Sequence, residues 1–236
     1  MLDNLHREVL SLKNSEKAAF LQGFFKTKKG EYGYGDIFYG LTVPQSRKVA
    51  IKFGSVPLKD VVKLLASKIH EERLIALFIL AQKFSKASDL EKKEIYDLYL
   101  KNTRFINNWD LVDTSAYKIV GAYLVGKSDR TILEKLAISS DMWERRIAII
   151  STFQFITKEN SYTETFKIAE ILIPDRSDLI QKAVGWMLRE AGKRVSEKAE
   201  REFLDIHHKQ MGRTALRYAI ERFPEKIRLQ YLKGII

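Results

Sequence analysis

The chain has 236 residues, no cysteine, 45% apolar side chains and 41 Lys+Arg against 30 Asp+Glu, for a formal charge of +11 and a pI near 9.6. This excludes a disulfide framework, a thiol nucleophile and a cysteine-bound zinc or iron–sulfur centre, and the apolar fraction is that of a folded domain. So basic a chain favours a polyanion as partner, because Lys and Arg on phosphates release condensed counterions.

Apolar residues recur at helical spacing along almost the whole chain, and no stretch alternates with period two. In chain order the pattern predicts helices over 3–12 and 15–26, then an irregular stretch, TKKGEYGYGDIFYGLTV, over 27–43. Further helices are predicted over 44–54, 57–66, 70–84, 88–101, 108–123, 128–138, 142–157, 161–173, 178–193, 196–206, 212–222 and 224–233. Pro44 and Pro57 suit first-turn positions, where a missing N–H is harmless. Gly126, Gly192 and Gly212 punctuate connections or helix ends. The glycines between Gly30 and Gly35 follow no strand and lack the G-x-G-x-x-G spacing, so they read as a shaped connection rather than a nucleotide cradle. His70-Glu71 lacks the second histidine of an H-E-x-x-H pair, and His207-His208 has no partner ligands in register, so no catalytic metal and no cofactor are expected. The longest near-apolar run, Ile147 to Ile156, is too short to span a bilayer. The N-terminus carries acids and no apolar signal core, so a cytoplasmic protein is expected.

Arg73, Trp109, Arg145, Gln181 and Arg217 lie 36 residues apart. Counted from each as zero, positions two and three are Ile75-Ala76, Leu111-Val112, Ile147-Ala148, Ala183-Val184 and Ala219-Ile220, all apolar. Position six gives Ile79, Ser115, Ser151, Met187 and Phe223. A buried stripe repeated at such a period predicts an all-α fold, an α-solenoid of HEAT-like helical repeats forming one domain over 1–236; a helical bundle with a coincidental register is the other reading. Residues 1–60 carry net +4, residues 61–177 net +2 and residues 178–236 net +5. The excess therefore sits toward both ends, as expected of a concave basic groove gripping a duplex.

Positions one, four, five and eight fall on the face opposite the stripe. They comprise Asp110, Asp113, Thr114 and Tyr117 in the second repeat, Arg146, Ile149, Ile150 and Phe153 in the third, and Lys182, Gly185, Trp186 and Arg189 in the fourth. Stacked repeats would bring acids, aromatics and cations together there. Trp109 and Asp113 are one helical turn apart, although Trp109 sits at the edge of that face. A carboxylate between two indoles in a basic groove suits a cationic ligand carried on a polyanion. The plainer reading makes Asp110 and Asp113 complements to a helix dipole and the tryptophans core residues.

The segments FFKTKKGEYGYGDIFYGLTVPQSRK (24–48), IHEERLIALFIL (69–80), NNWDLVD (107–113), DMWERRIAI (141–149) and IQKAVGWMLREAGK (180–193) together resemble the AlkD-type DNA alkylation-repair glycosylases, built from HEAT-like repeats. The resemblance runs over nearly the whole chain. It implies that Asp113 is the catalytic carboxylate, that Trp109 and Trp186 are active-site indoles, and that Arg146 and Arg189 hold the DNA backbone beside the lesion. Lys182 extends that contact on the charge pattern, and Arg47 and Arg217 would lengthen the track. The implied reaction is hydrolysis of the N-glycosidic bond of cationic N3- or N7-alkylated purines in duplex DNA, by a monomer that need not flip the base. With no lysine placed for Schiff-base chemistry, a monofunctional enzyme is expected. The alternative is a non-catalytic HEAT-repeat protein that binds DNA or structured RNA through the same groove.

Overall fold

The computed structural model describes residues 1–236 and divides them into two compact units, Met1–Ser115 and Ala116–Ile236. In the first unit α1 (Leu2–Ser11) and α2 (Ser15–Phe24) precede the irregular stretch, and α3 (Val43–Lys52), α4 (Leu58–Leu65), α5 (His70–Lys86), α6 (Asp89–Lys101) and α7 (Trp109–Ala116) follow it. Local chemistry sets the helix starts. Asn14 accepts the Lys17 N–H at 2.9 Å to cap α2. Thr42 and Gln45 form a capping box at α3, with Pro44 in the first turn, and Ser88 with Glu91 does the same at α6. Such caps satisfy N–H groups that have no partner within the helix. Helix α5 packs on α3, α4 and α6. Every residue from His70 to Leu80 is buried, so its first turn, His70-Glu71-Glu72-Arg73, places four ionisable groups in the interior.

The second unit opens on a π-turn (Tyr117–Gly121) that continues the backbone of α7, then α8 (Ala122–Leu124), α9 (Thr131–Ala137), α10 (Met142–Ser151), α11 (Phe153–Lys158), α12 (Thr163–Leu172), α13 (Asp178–Arg194), α14 (Glu197–His207), α15 (Arg213–Ala219) and α16 (Glu225–Lys233). There are no strands; one isolated parallel bridge joins Ile37 to Ile69. No helix is long and apolar enough to cross a membrane. The fold is all-α and of the α-solenoid-like helical-repeat kind. The helix predicted over 142–157 is in fact two, because Thr152 turns its hydroxyl back onto the Ile149 carbonyl at 2.7 Å, a bond that competes with the helical ladder. The helix predicted over 108–123 is interrupted by the π-turn, where a Cβ on Gly121 would lie 2.3 Å from the Ser151 carbonyl oxygen.

The 36-residue period has a structural counterpart. All ten residues at positions two and three are buried, as are the five at position six. The period also carries a polar turn. Arg73 donates to the Ser67 carbonyl, Arg145 to the Ser139 carbonyl and Gln181 to the Asp175 carbonyl, each reaching back six residues to the loop before its own helix. Ser67 donates to Glu72 and Ser139 to Glu144 in the same register. In these three repeats the first position thus ties the helix to its entry loop. The opposite face is less open than its sequence suggests. Ile149 and Ile150 are buried because α10 packs against both α9 and α13. Gly185 is buried because α13 meets α15 there. Gly192, read as a helix end, lies inside α13 and is also buried.

Candidate active site

Trp109 opens α7 and Asp113 follows one turn later. Both line a cavity of about 400 Å³ in the first unit, walled by Phe20, Phe24, Phe25, Phe38 and Leu74 and floored by His70 and Asp110. Four side chains from distant parts of the sequence build an aromatic column. Trp109 stacks on Phe25 (5.3 Å between centroids, 23° between planes), Phe25 on Phe38 (5.1 Å, 15°) and Phe38 on the His70 ring (4.5 Å, 23°). Phe24 meets Trp109 edge-on at 6.0 Å and stays exposed, as does Phe20 at the mouth. Such pairs each add about 0.5–1.5 kcal/mol beyond the area they bury, and the indole is fixed from behind.

The stretch over 27–43 supplies Phe38 to this column and is held tightly at its C-terminal half. The Glu71 carboxylate accepts the backbone N–H groups of Tyr39, Gly40 and Leu41 at 2.7 to 3.1 Å. Gly40 has φ +88°, and a Cβ there would lie 2.1 Å from the Asn14 carbonyl oxygen, so only glycine fits. The Ile37–Ile69 bridge then seats Asp36 beside the start of α5.

Beneath the column lies a buried charge cluster. His70 Nδ1 is 2.9 Å from Asp36 Oδ2 and Nε2 is 2.8 Å from Asp110 Oδ2, while Arg73 donates to Asp36 Oδ1 at 2.6 Å. Burial pushes the His70 ring toward its neutral form, but the facing charge of Asp110 and hydrogen bonds to Asp110 and Asp36 outweigh it and raise the pKa to about 9, as expected for an interior base paired with carboxylates. Burial likewise opposes ionisation of Asp36, yet the His70 hydrogen bond and the Arg73 charge hold its carboxyl below the usual range. With both ring nitrogens taken by carboxylates, His70 has no lone pair to offer a metal. On the other side of α7, Tyr99 bonds the Ser115 hydroxyl at 2.9 Å. Burial raises the Tyr99 pKa, the Ser115 bond opposes this, and the negative charge of Asp113 adds to the rise.

The other residues singled out from sequence are not gathered at this cavity. Arg47, on α3, lies over the Phe78 ring at 4.4 Å. In the second unit Lys182, Trp186 and Arg189 run along successive turns of α13, each partly exposed. Lys182 pairs with Asp178 at 2.7 Å, and Arg189 pairs with Glu221. Arg146 is buried in α10 and donates to the Leu179 carbonyl, bracing the start of α13. Arg217, on α15, is exposed. Sequence reasoning reached Trp109, Asp113 and Asp110 but not Phe24, Phe25, Phe38, Asp36 or the role of His70. Their advance signals were the density of aromatic residues around 24–39 and the place of 24–48 and 69–80 among the segments that carry the family resemblance, neither of which assigns a contact.

Comparison with known proteins bears on the whole chain. A solved structure described as a predicted DNA alkylation repair enzyme from Enterococcus faecalis superposes with a TM-score of 0.68 at 18% identity, over 90% of this chain and 97% of that one. That similarity establishes the fold. No curated protein matches the chain. The family model for DNA alkylation repair enzymes matches residues 5–223, and the chain belongs to that family.

Proposed function

We propose that the protein is a monofunctional DNA glycosylase that hydrolyses the N-glycosidic bond of cationic N3- or N7-alkylated purines in duplex DNA. The observation that carries this reading is the pairing of Asp113 with a rigidly backed indole, Trp109, at one cavity of a strongly basic DNA-repair-family chain. Alkylation at N3 or N7 leaves the purine positively charged. As the C1′–N bond breaks, the base takes the bonding electron pair and departs neutral. The sugar acquires oxocarbenium character, and water adds at C1′ and loses its proton to give an abasic site. A carboxylate stabilises such a sugar cation, as in glycoside hydrolysis generally. Asp113 fills that role and orients the attacking water. Trp109 faces the cationic nucleotide, and Trp186, partly exposed on α13, offers the DNA a second indole, an indole–cation contact being worth about 0.5–2 kcal/mol. No group has to protonate the base. Lys182 and Arg189 hold flanking phosphates, Arg47 and Arg217 extend the track, and Arg146 acts through its brace on α13.

The test is release of free 7-methylguanine and 3-methyladenine from methylated duplex DNA by the monomer, with Asp113→Asn alongside. Release by the wild type, cut by about 100-fold or more in the variant with duplex affinity kept or slightly raised, is the expected result. Tight duplex binding without release supports the non-catalytic reading, and full activity in the variant removes Asp113 from the mechanism.

A further inference from the structure

The first turn of α5 offers a role that the proposed chemistry leaves unused. His70 is 1% exposed and touches three segments at once: Asp36 of the irregular stretch, Asp110 of α7 and, through its ring face, Phe38 and Phe25 of the aromatic column. A carboxylate oxygen accepts and does not donate, so a ring with a carboxylate at each nitrogen satisfies both only when both nitrogens carry protons. Asp36, Asp110 and Arg73 are the charged groups that face it, and with the ring charged the four sum to zero. Remove the ring charge and two buried carboxylates face one guanidinium. The Asp110 Oδ1 atom is already buried without a partner, so Asp110 depends on His70 for its compensation. Asp110 and Asp113 stand one turn apart on α7, and both line the cavity. Whatever holds Asp110 therefore fixes the turn from which Trp109 and Asp113 project.

Resting on the glycosylase reading, we propose that His70 is a positioning residue for excision: its doubly bonded ring ties the irregular stretch to Asp110, commits Asp110 to the interior, and sets Trp109 and Asp113 in register for the lesion. The bridge acts through orientation and touches no substrate atom. Misplacement of a reacting group by about 1 Å costs on the order of 100-fold in rate, so a buried tether of this kind is read in the chemical step more than in binding.

The experiment is single-turnover base release from methylated duplex with excess enzyme, from about pH 6 to about pH 10, with duplex affinity measured separately. His70→Gln can donate to one carboxylate only. It is expected to slow release about 10–100-fold while duplex affinity stays within roughly threefold. In the wild type the rate is expected to fall above about pH 9, where the ring loses its proton. Asp36→Asn removes one anionic partner and should move that fall to lower pH. The double variant His70→Gln/Asp110→Asn restores a complete neutral bridge, with the new Gln amide donating to Asp36 and accepting from the side-chain amide that replaces the Asp110 carboxylate. It should regain roughly tenfold of the lost rate, which a merely additive structural defect cannot do. Ring ¹⁵N signals of His70 give a readout independent of activity: both nitrogens protonated at about pH 7.5 is expected. A neutral ring there, wild-type release by His70→Gln, or a double variant no faster than the single one overturns the proposal. Loss of release in Asp113→Asn together with an unaltered His70→Gln rate sinks the positioning role alone. Absence of release by the wild type sinks the glycosylase reading and the role with it.

Discussion

Glu200 is the residue whose chemistry most directly sets a measurable pH dependence. It is buried on α14 against Gly192 of α13, and its Oε1 has no partner. Burial, reinforced by Glu197 and opposed by Arg189 and Arg201, raises its pKa from 4.5 to about 8. A carboxyl whose folded-state pKa lies above its unfolded value binds its proton more tightly in the folded state. Stability is therefore lost as pH rises from about 4.5 to about 8, and the loss is complete above that window, as proton linkage requires. Glu200→Gln keeps the shape of the protonated acid and cannot ionise. It should raise stability by about 2–4 kcal/mol at about pH 8.5 and leave it nearly unchanged at about pH 5; equal shifts of the thermal midpoint at both pH values would contradict the burial argument. The same non-local character limited what the sequence disclosed about the site. Trp109 and Asp113 are neighbours on one helix and could be read together. The column behind them draws on Phe24, Phe25, Phe38 and His70, and the charge cluster on Asp36, His70, Arg73 and Asp110. No local spacing encodes a contact across 34 or 40 residues, so His70 looked only like an incomplete metal motif.

Among elements, the α13–α15 packing in the second unit shows how one small residue carries a helix pair. A Cβ at Gly185 would stand 2.3 Å from the Ala215 carbonyl oxygen and 2.5 Å from Tyr218 Cβ, one a backbone atom and the other tied directly to it. Gly185→Ala gains helix propensity of roughly 1 kcal/mol. Overpacking costs about 1–3 kcal/mol because the two helices must separate. We expect net destabilisation, read as a lower urea midpoint with an unchanged slope; a stabilised variant would mean that the helices yield freely. Helix periodicity was legible throughout, because a 3.6-residue stripe is a local property and the 36-residue repeat multiplies it. The features that escaped were those made by neighbours. The π-turn at Tyr117–Gly121, the break at Thr152 and the burial of Ile149, Ile150 and Gly185 all arise where one helix is packed from more than one side.

For the whole molecule the governing quantity is charge. A net +11 predicts duplex binding whose affinity falls steeply with salt, because each phosphate neutralised releases about 0.9 counterion. Several of the cations in question are already engaged within the protein, which makes the prediction specific. Lys182 is held by Asp178, and Arg189 by Glu221. A phosphate must compete for the Arg189 guanidinium with an exposed carboxylate, and surface pairs of that kind are worth only about 0–1 kcal/mol. Arg189→Ala should weaken binding to any duplex, lesion or not, and flatten the log–log salt slope by about 1. Glu221→Gln should do the reverse in affinity, tightening binding by roughly two- to fivefold at low salt, since it removes both the competitor and a repelling charge. Titrations of undamaged duplex at several salt concentrations separate the outcomes. If Arg189→Ala affects only lesion-bearing DNA, the residue reads the damaged nucleotide rather than the backbone. An unchanged affinity in Glu221→Gln together with a full loss in Arg189→Ala would show that the ion pair persists on DNA and that Arg189 binds phosphate through its remaining N–H groups.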